Sequence, residues 1–442
     1  AERWQDVSDS LGKSEMPPEN DKKIVLSDQN RTVVLDWLRE ELDKASQVRR
    51  TTKQHSSFRR LTNYEYDYAV QDLLGVPFSL PRRLPPENAT EDGFKNSSEL
   101  LQMTGTQFEI YRDLALKALR RATVVGNRPK PVVYTLSIAD EVAKLKEAGE
   151  VPDKKAKGGP KNKKSLFPVL NRETGKVQAT LLEVYKGDVA TGVESALEVP
   201  RKGDPGQNPA PSPFAVTLSE GRDLKLDLDR YLPDNGVMHV RIRAARSNAN
   251  PEQFASLRLL LSAHTSNNAN FTDVISRSDV PVKATAKESQ WIEFDVLLDD
   301  LQRNPFRNDP AANARRDEFL HIRNISNTGK GNDRLSVEIE FVEIVAPYFE
   351  QWPPKSHTNI FFESPNRRDE KVYGREVLSQ FLRRAWRRPV SATEVDRYLG
   401  LFEKYRPEFK SFDEAMIEVL ATALASPEFL YLPQRSATDP KA

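Results

Sequence analysis

"LSVEIEFVEIV", residues 335–345, sets the fold class of this chain. Apolar and polar residues alternate in it with a period of two, so Leu335, Val337, Ile339 and Phe341 fall on one side of an extended strand and Ser336, Glu338 and Glu340 on the other. The same period runs through "DLKLDLDRYL" (223–232), "VMHVRIRAAR" (237–246), "SLRLLLSAH" (256–264), "QWIEFDVLL" (290–298) and "EFLHIRNI" (318–325). In the second of these, Met238, Val240 and Ile242 share one face and His239, Arg241 and Arg243 the other. One-sided strands of this length, joined by turn-rich connections without intervening helices, predict an antiparallel β-sandwich of jelly-roll type.

On either side of the strands the period lengthens to that of a helix. "LSDQNRTVVLDWLREELDKAS" (26–46) puts Val33, Val34, Trp37, Leu38 and Leu42 on one stripe behind Ser27 or Asp28 as N-cap. Thr62 with Glu65, Thr104 with Gln107, Ser391 with Glu394 and Ser411 with Glu414 have the spacing of capping boxes, and Gly75 and Gly126 stand where helices close. The expected class is therefore α+β and multidomain. A helical region spans 1–128, a sandwich 129–350 and a helical bundle 351–442.

Two breaks interrupt the sandwich region. Residues 153–164 are lysine-rich, within "VPDKKAKGGPKNKK" with its six lysines, and residues 199–213 are proline-rich, within "VPRKGDPGQNPAPSPF". Both are too polar to bury and too interrupted to be helical, which reads as solvated loops. The arginines of "FLRRAWRRP" (381–389) read as a helix surface around a buried Trp386, or else as an anion site.

Composition excludes several classes. With 66 basic and 65 acidic residues the net charge is +1, so no global field steers the chain to nucleic acid. No run is long and apolar enough for a membrane helix. There is no cysteine, hence no disulfide, thiolate metal site or cysteine nucleophile. The five histidines, His55, His239, His264, His321 and His357, lie far apart and in no metal-binding spacing, and no nucleophile elbow, P-loop or dinucleotide fingerprint is present. No catalytic constellation is expected. Trp291, in an alternating strand, is either a core residue or a ligand-binding ring that stacks on a sugar.

"FRRLTNYEYDYAVQDLLGV" (58–76) with "LPPENATEDGFKNSSELLQMT" (84–104) resembles the first of the domains of unknown function that follow a cytochrome c domain in large secreted planctomycete proteins. "FLRRAWRRPVSATEVDRYLGLFEKY" (381–405) and "FDEAMIEVLATALASPEFLY" (412–431) resemble the later helical domain of those proteins, and "FVEIVAPYFEQWPP" (341–354) the join before it. "EMPPENDKKIVLSDQNRTVVLDWLREEL" (15–42) is similar to the loop and helix that end the cytochrome domain, which would put Met16 in the place of the axial haem ligand. The resemblance divides the first helical region at about residue 50: it assigns 1–50 to a C-terminal remnant of a cytochrome c-like domain and 51–128 to the first helical family domain.

The family carries a C-x-x-C-H segment that this chain lacks, so the resemblance implies an internal fragment: haem c in the full-length parent, none in this chain alone. It implies an extracytoplasmic location and, as partners, the parent's other domains with a redox partner or a polysaccharide. The expected role is the non-catalytic middle of a multidomain cytochrome c protein that scaffolds electron transfer. The alternatives are a glycan-binding or cell-envelope scaffold, or part of a carbohydrate-active oxidoreductase completed by other domains.

Overall fold

The structure is a computed structural model that describes residues 28–51, 58–76, 103–147, 166–182, 209–247, 253–263, 270–309, 316–326 and 335–433, with single residues and short pieces between them, Met16 among these. The lysine-rich loop 153–164 lies outside the described residues, as does the proline-rich loop before residue 209. The chain forms two compact units: Ala1–Val125 with Lys355–Ala442, and Gly126–Pro354.

The first unit is helical and is made from both ends of the chain. It contains α1 (Asp28–Thr51), α2 (Asn63–Leu74), α3 (Gly105–Ala122), α5 (Lys355–Thr358), α6 (Glu370–Ala385), α7 (Ala392–Tyr405), α8 (Phe412–Leu424) and α9 (Pro427–Leu430). Three capping boxes form as the spacing predicts: each of Thr62, Thr104 and Ser391 takes the N3 backbone N–H while the N3 side chain returns to the cap N–H. At Ser411 only the first half forms. α2 closes on Gly75 at φ +69°, a left-handed position suited to glycine. α3 ends before Gly126, where Thr123 turns into extended backbone and its hydroxyl donates to the Leu119 carbonyl at 2.8 Å.

The helical segments that the sequence separates into 51–128 and 351–442 share one hydrophobic core. Val70 and Leu119 from the first half are buried with Leu382, Leu420 and Leu424 from the second. β1 (Phe58–Arg60) pairs antiparallel with β16 (Tyr431–Pro433), which ties the start of one half to the end of the other. Across the core, Arg112 and Arg120 of α3 hold Glu418 of α8 at 3.0 and 3.1 Å. Arginines at and just after the end of α6 act as tethers: Arg384 donates to the Leu73 carbonyl at 2.9 Å and Arg387 to that of Phe429 at 2.6 Å. α1 departs from expectation. Of its apolar stripe only Leu38 is buried, while Val33 and Trp37 are exposed.

The second unit is the sandwich. It comprises β2 (Val132–Ser137), α4 (Ile138–Glu147), β3 (Leu166–Asn171), β4 (Lys176–Leu182), β5 (Val184–Tyr185), β6 (Asp188–Ala190), β7 (Phe214–Leu218), β8 (Asp223–Asp227), β9 (Val237–Arg246), β10 (Ala255–Ala263), β11 (Phe271–Val274), β12 (Val280–Val282), β13 (Gln290–Leu297), β14 (Glu318–Asn324) and β15 (Val337–Ala346). The larger sheet runs β13-β9-β15-β7-β3-β4, with β2 beside β15 and β6 beside β2. The smaller runs β11-β10-β14-β8-β5, with β12 also on β10. From β7 to β10 and again from β13 to β15 successive strands alternate between the sheets, the crossing pattern of a jelly roll. Among the described strands the ladders are antiparallel except β5 with β8.

Val240 and Ile242 of the larger sheet and Leu259 and Ile322 of the smaller are fully buried in one core. Burial of each such side chain is worth about 1.5–3 kcal/mol. One residue breaks the alternation. The register between β15 and β9 shifts between Ile339 and Phe341, so Val342 and Ile344 take the core positions and Phe341 moves to the outer face. The sequence places Phe341 inside with Ile339; the β-bulge at Glu340 inserts an extra residue and reverses the facing of every later residue in the strand.

Candidate functional site

The outer face of the larger sheet is where the polar half of the alternation collects. Trp291, Glu293 and Asp295 of β13 lie opposite Arg243, Arg241 and His239 of β9, and on the far side of β9 these face Phe341, Glu343 and Val345 of β15. Trp291 is half-buried on this face and takes no part in the core, which is formed by its neighbours Ile292, Phe294 and Val296. Its ring lies edge-on to Phe341 with centroids 6.0 Å apart, and the Arg241 and Arg243 guanidinium carbons stand 4.7 and 5.8 Å from its centre. Cation–π attraction of this kind holds both ring and arginines in place.

The charged groups are fixed in pairs. Arg241 donates to Glu343 through Nε at 3.0 Å, Arg172 donates to Glu338 at 2.7 Å and also to Glu340, and Arg243 donates to Ser289 Oγ at 3.1 Å and the Pro209 carbonyl at 3.0 Å. At the other end His239 Nδ1 meets Asp295 at 2.7 Å, and its ring stacks on Tyr348 at 4.4 Å and 19°. Burial raises the Tyr348 hydroxyl pKa, and the carboxylates of Glu350, Asp295 and Glu293 add to the effect. Pairs that bridge strands and are largely dry leave little freedom to reorganise when a ligand arrives.

The smaller sheet carries a second polar array that no sequence motif announced. Ser262 Oγ lies 2.6 Å from His321 Nε2, and His321 Nδ1 lies 3.1 Å from Asp223, which also accepts from Arg323 at 2.5 and 2.7 Å. Burial opposes charge on Asp223, yet the hydrogen bonds from Arg323 and His321 prevail and hold its pKa at about 2. The order serine, histidine, aspartate is that of a hydrolase relay. Ser262 has no exposed surface, however, and the array ties β10, β14 and β8 together as a cross-strand brace. Its members come from three strands, so no local spacing could reveal it.

Met16 lies at a bend and is 45% exposed, as are Trp4 (54%) and Trp37 (51%), whose rings meet edge-on at 6.1 Å. Among the described residues no cluster of three or more His, Cys, Asp or Glu side chains is placed to hold a metal ion, and no helix is long and apolar enough to cross a membrane.

No curated protein matches the chain. Among solved structures it is similar to the CBM22-1–GH10 modules of the Clostridium thermocellum endo-1,4-beta-D-xylanase 10B complexed with xylohexaose (13% identity, 30% of this chain and 21% of that one, TM-score 0.20). It is also similar to the CBM22-1 xylan-binding domain of Paenibacillus barcinonensis Xyn10C (12% identity, 32% and 78%, TM-score 0.21) and to the xylan-binding module CBM15 (12%, 32% and 86%, TM-score 0.20). The fold class itself rests on the strand registers and the shared core. The two halves of the helical unit each match a family: residues 59–124 match PSD3, a protein of unknown function (DUF1587), and residues 373–433 match PSD5, a protein of unknown function (DUF1595).

Proposed function

We propose that this chain is a non-catalytic binding scaffold within a larger extracytoplasmic cytochrome c-type protein of the planctomycete kind, with the β-sandwich as the part that engages a partner or polymer. The observation that carries the reading is the outer face of the larger sheet, where half-buried Trp291 and Phe341 lie among guanidinium and carboxylate groups already locked to one another. A face organised before its ligand arrives loses little conformational entropy on binding. The full chain is expected to be retained on an immobilised cell-wall polymer or partner protein, and the double substitution Trp291→Ala with Phe341→Ala to abolish retention while circular dichroism stays unchanged. Equal retention by the double variant would refute the reading.

The resemblance of residues 15–42 to the end of a cytochrome c domain supports a second role beside the first, in electron transfer, with Met16 as the ligand. The described residues fit a haem only as far as one thioether, and with no cysteine in the chain covalent attachment of haem c would come from another segment of the parent. In a haem-bearing parent, Met16→Ala is expected to remove the weak sulfur-to-iron charge-transfer band at the red end of the spectrum, and an unchanged band excludes Met16 as the ligand.

A further inference from the structure

We infer that the outer face of the larger sheet takes an uncharged polysaccharide, with Trp291 as the ring on which a sugar stacks and Glu293 and Asp295 as acceptors for its hydroxyls. This rests on the binding-scaffold reading above and adds the chemical class of the ligand.

The charges select the class. Among the described residues the face holds three guanidinium groups, those of Arg172, Arg241 and Arg243, against five carboxylates, those of Glu293, Asp295, Glu338, Glu340 and Glu343. The arginine side chains are 8–13% exposed and each is engaged by a carboxylate. An incoming sulfate or uronate would have to displace a buried partner, leaving that carboxylate dry and unpaired, at a cost of several kcal/mol. The groups that remain in water are the opposite sign: Glu293 is exposed and the Asp295 side chain is 52% exposed. An anionic polymer therefore meets repulsion first and, among the described residues named above, arginines already engaged by carboxylates.

An uncharged sugar meets neither obstacle. Its hydroxyls donate to exposed carboxylate oxygens in charge-assisted hydrogen bonds. A pyranose presents an apolar face to the part of the indole left in solvent. Trp291, Glu293 and Asp295 occupy alternate positions of an edge strand, so a linear polymer lying along β13 can meet all three.

The test uses the full chain with laminarin and galactomannan as uncharged probes and alginate and carrageenan as anionic ones, in affinity electrophoresis at low salt. The expected result is retardation by at least one uncharged polymer and by neither anionic one. Trp291→Ala should weaken binding about tenfold and Trp291→Phe much less. Retardation by an anionic polymer that is lost in Trp291→Ala would overturn the ligand class while leaving the scaffold reading intact. Binding that is insensitive to both Trp291 variants would overturn the location. Retention of none of the four, with capture of a lysine-rich peptide by the same face, would replace the glycan with a cationic protein partner. Retention of nothing by the folded chain would end both this inference and the reading on which it rests.

Discussion

The helical unit and the sandwich use their polar residues in opposite ways. In the helical unit the recurring polar contact is the helix cap, as where Thr62 with Glu65 and Ser391 with Glu394 close helix starts, beside long-range ties such as Arg384 to the Leu73 carbonyl. In the sandwich the corresponding contacts span the chain, Arg172 to Glu338, Arg241 to Glu343, Asp223 to His321. A helix satisfies its backbone within itself and leaves only its ends to side chains. A sheet joins segments remote in sequence, and its outward side chains pair across strands. Substitutions at the helix caps should therefore act locally and mildly, and those at the cross-strand pairs over long range and severely.

The strongest response is expected at Glu318, which is wholly buried and held by Arg303 at 2.6 Å and the Asn304 N–H at 2.8 Å. Glu318→Ala strands a buried guanidinium and should cost the sandwich about 3–5 kcal/mol. Hydrogen exchange resolved by segment should show protection lost in β8, β10 and β14 and retained in α3 and α8. Equal loss in the helices would dissolve the contrast between the units.

Acid should separate the two next. His357 Nδ1 accepts the Val124 N–H at 3.2 Å, and burial lowers the His357 pKa from its ordinary 6.5. A base whose pKa is depressed on folding stabilises the fold above its unfolded value and loses that contribution as pH falls through it. The helical unit should begin to weaken below about pH 6.5. Asp223, held at about 2 against an ordinary 3.8, contributes stability above 3.8 that is lost only as pH falls from there toward 2. Asp413, raised by burial, moves the other way and softens the slope in the helical unit near its lower end. Segment-resolved exchange at pH 7, 5.5 and 3.5 checks the order, and His357→Gln should flatten the first step.

A helix cap should matter least. Thr62→Ala removes the acceptor for the Glu65 N–H at 3.2 Å and should cost about 1 kcal/mol, confined to α2. A loss of several kcal/mol reaching α8 would mean that the caps, too, act through the shared core.

The same contrast explains what can be read from residues alone. Capping boxes are written in four consecutive positions, so Thr62, Thr104 and Ser391 are legible. The strands are legible from their period, and so is the outward placement of His239, Arg241 and Arg243. The bulge at Glu340 is not, because "VEIEFVEIV" alternates well enough until the partner strand fixes which residue is extra. Periodicity therefore puts Phe341 on the wrong face. The brace of Ser262, His321 and Asp223 is invisible without the pairing order of β10, β14 and β8. Nor can periodicity say that two helical segments on either side of the sandwich share one core, since an apolar stripe does not name its partner. The stripe on α1 fails for the same reason, with Val33 and Trp37 left in solvent.

At the root of the sandwich, Ser356 Oγ donates to the Ala122 carbonyl at 2.7 Å and Val124 N–H to His357, so the chain leaves and re-enters the helical unit at neighbouring points. For the helices, a folded insert entered and left at one place is equivalent to a tight turn, and the entropy of closing so long a loop does not fall on them. The stem is thus a socket. A different domain can be exchanged at it over evolutionary time while the helical core keeps its packing, without a new fold having to be found.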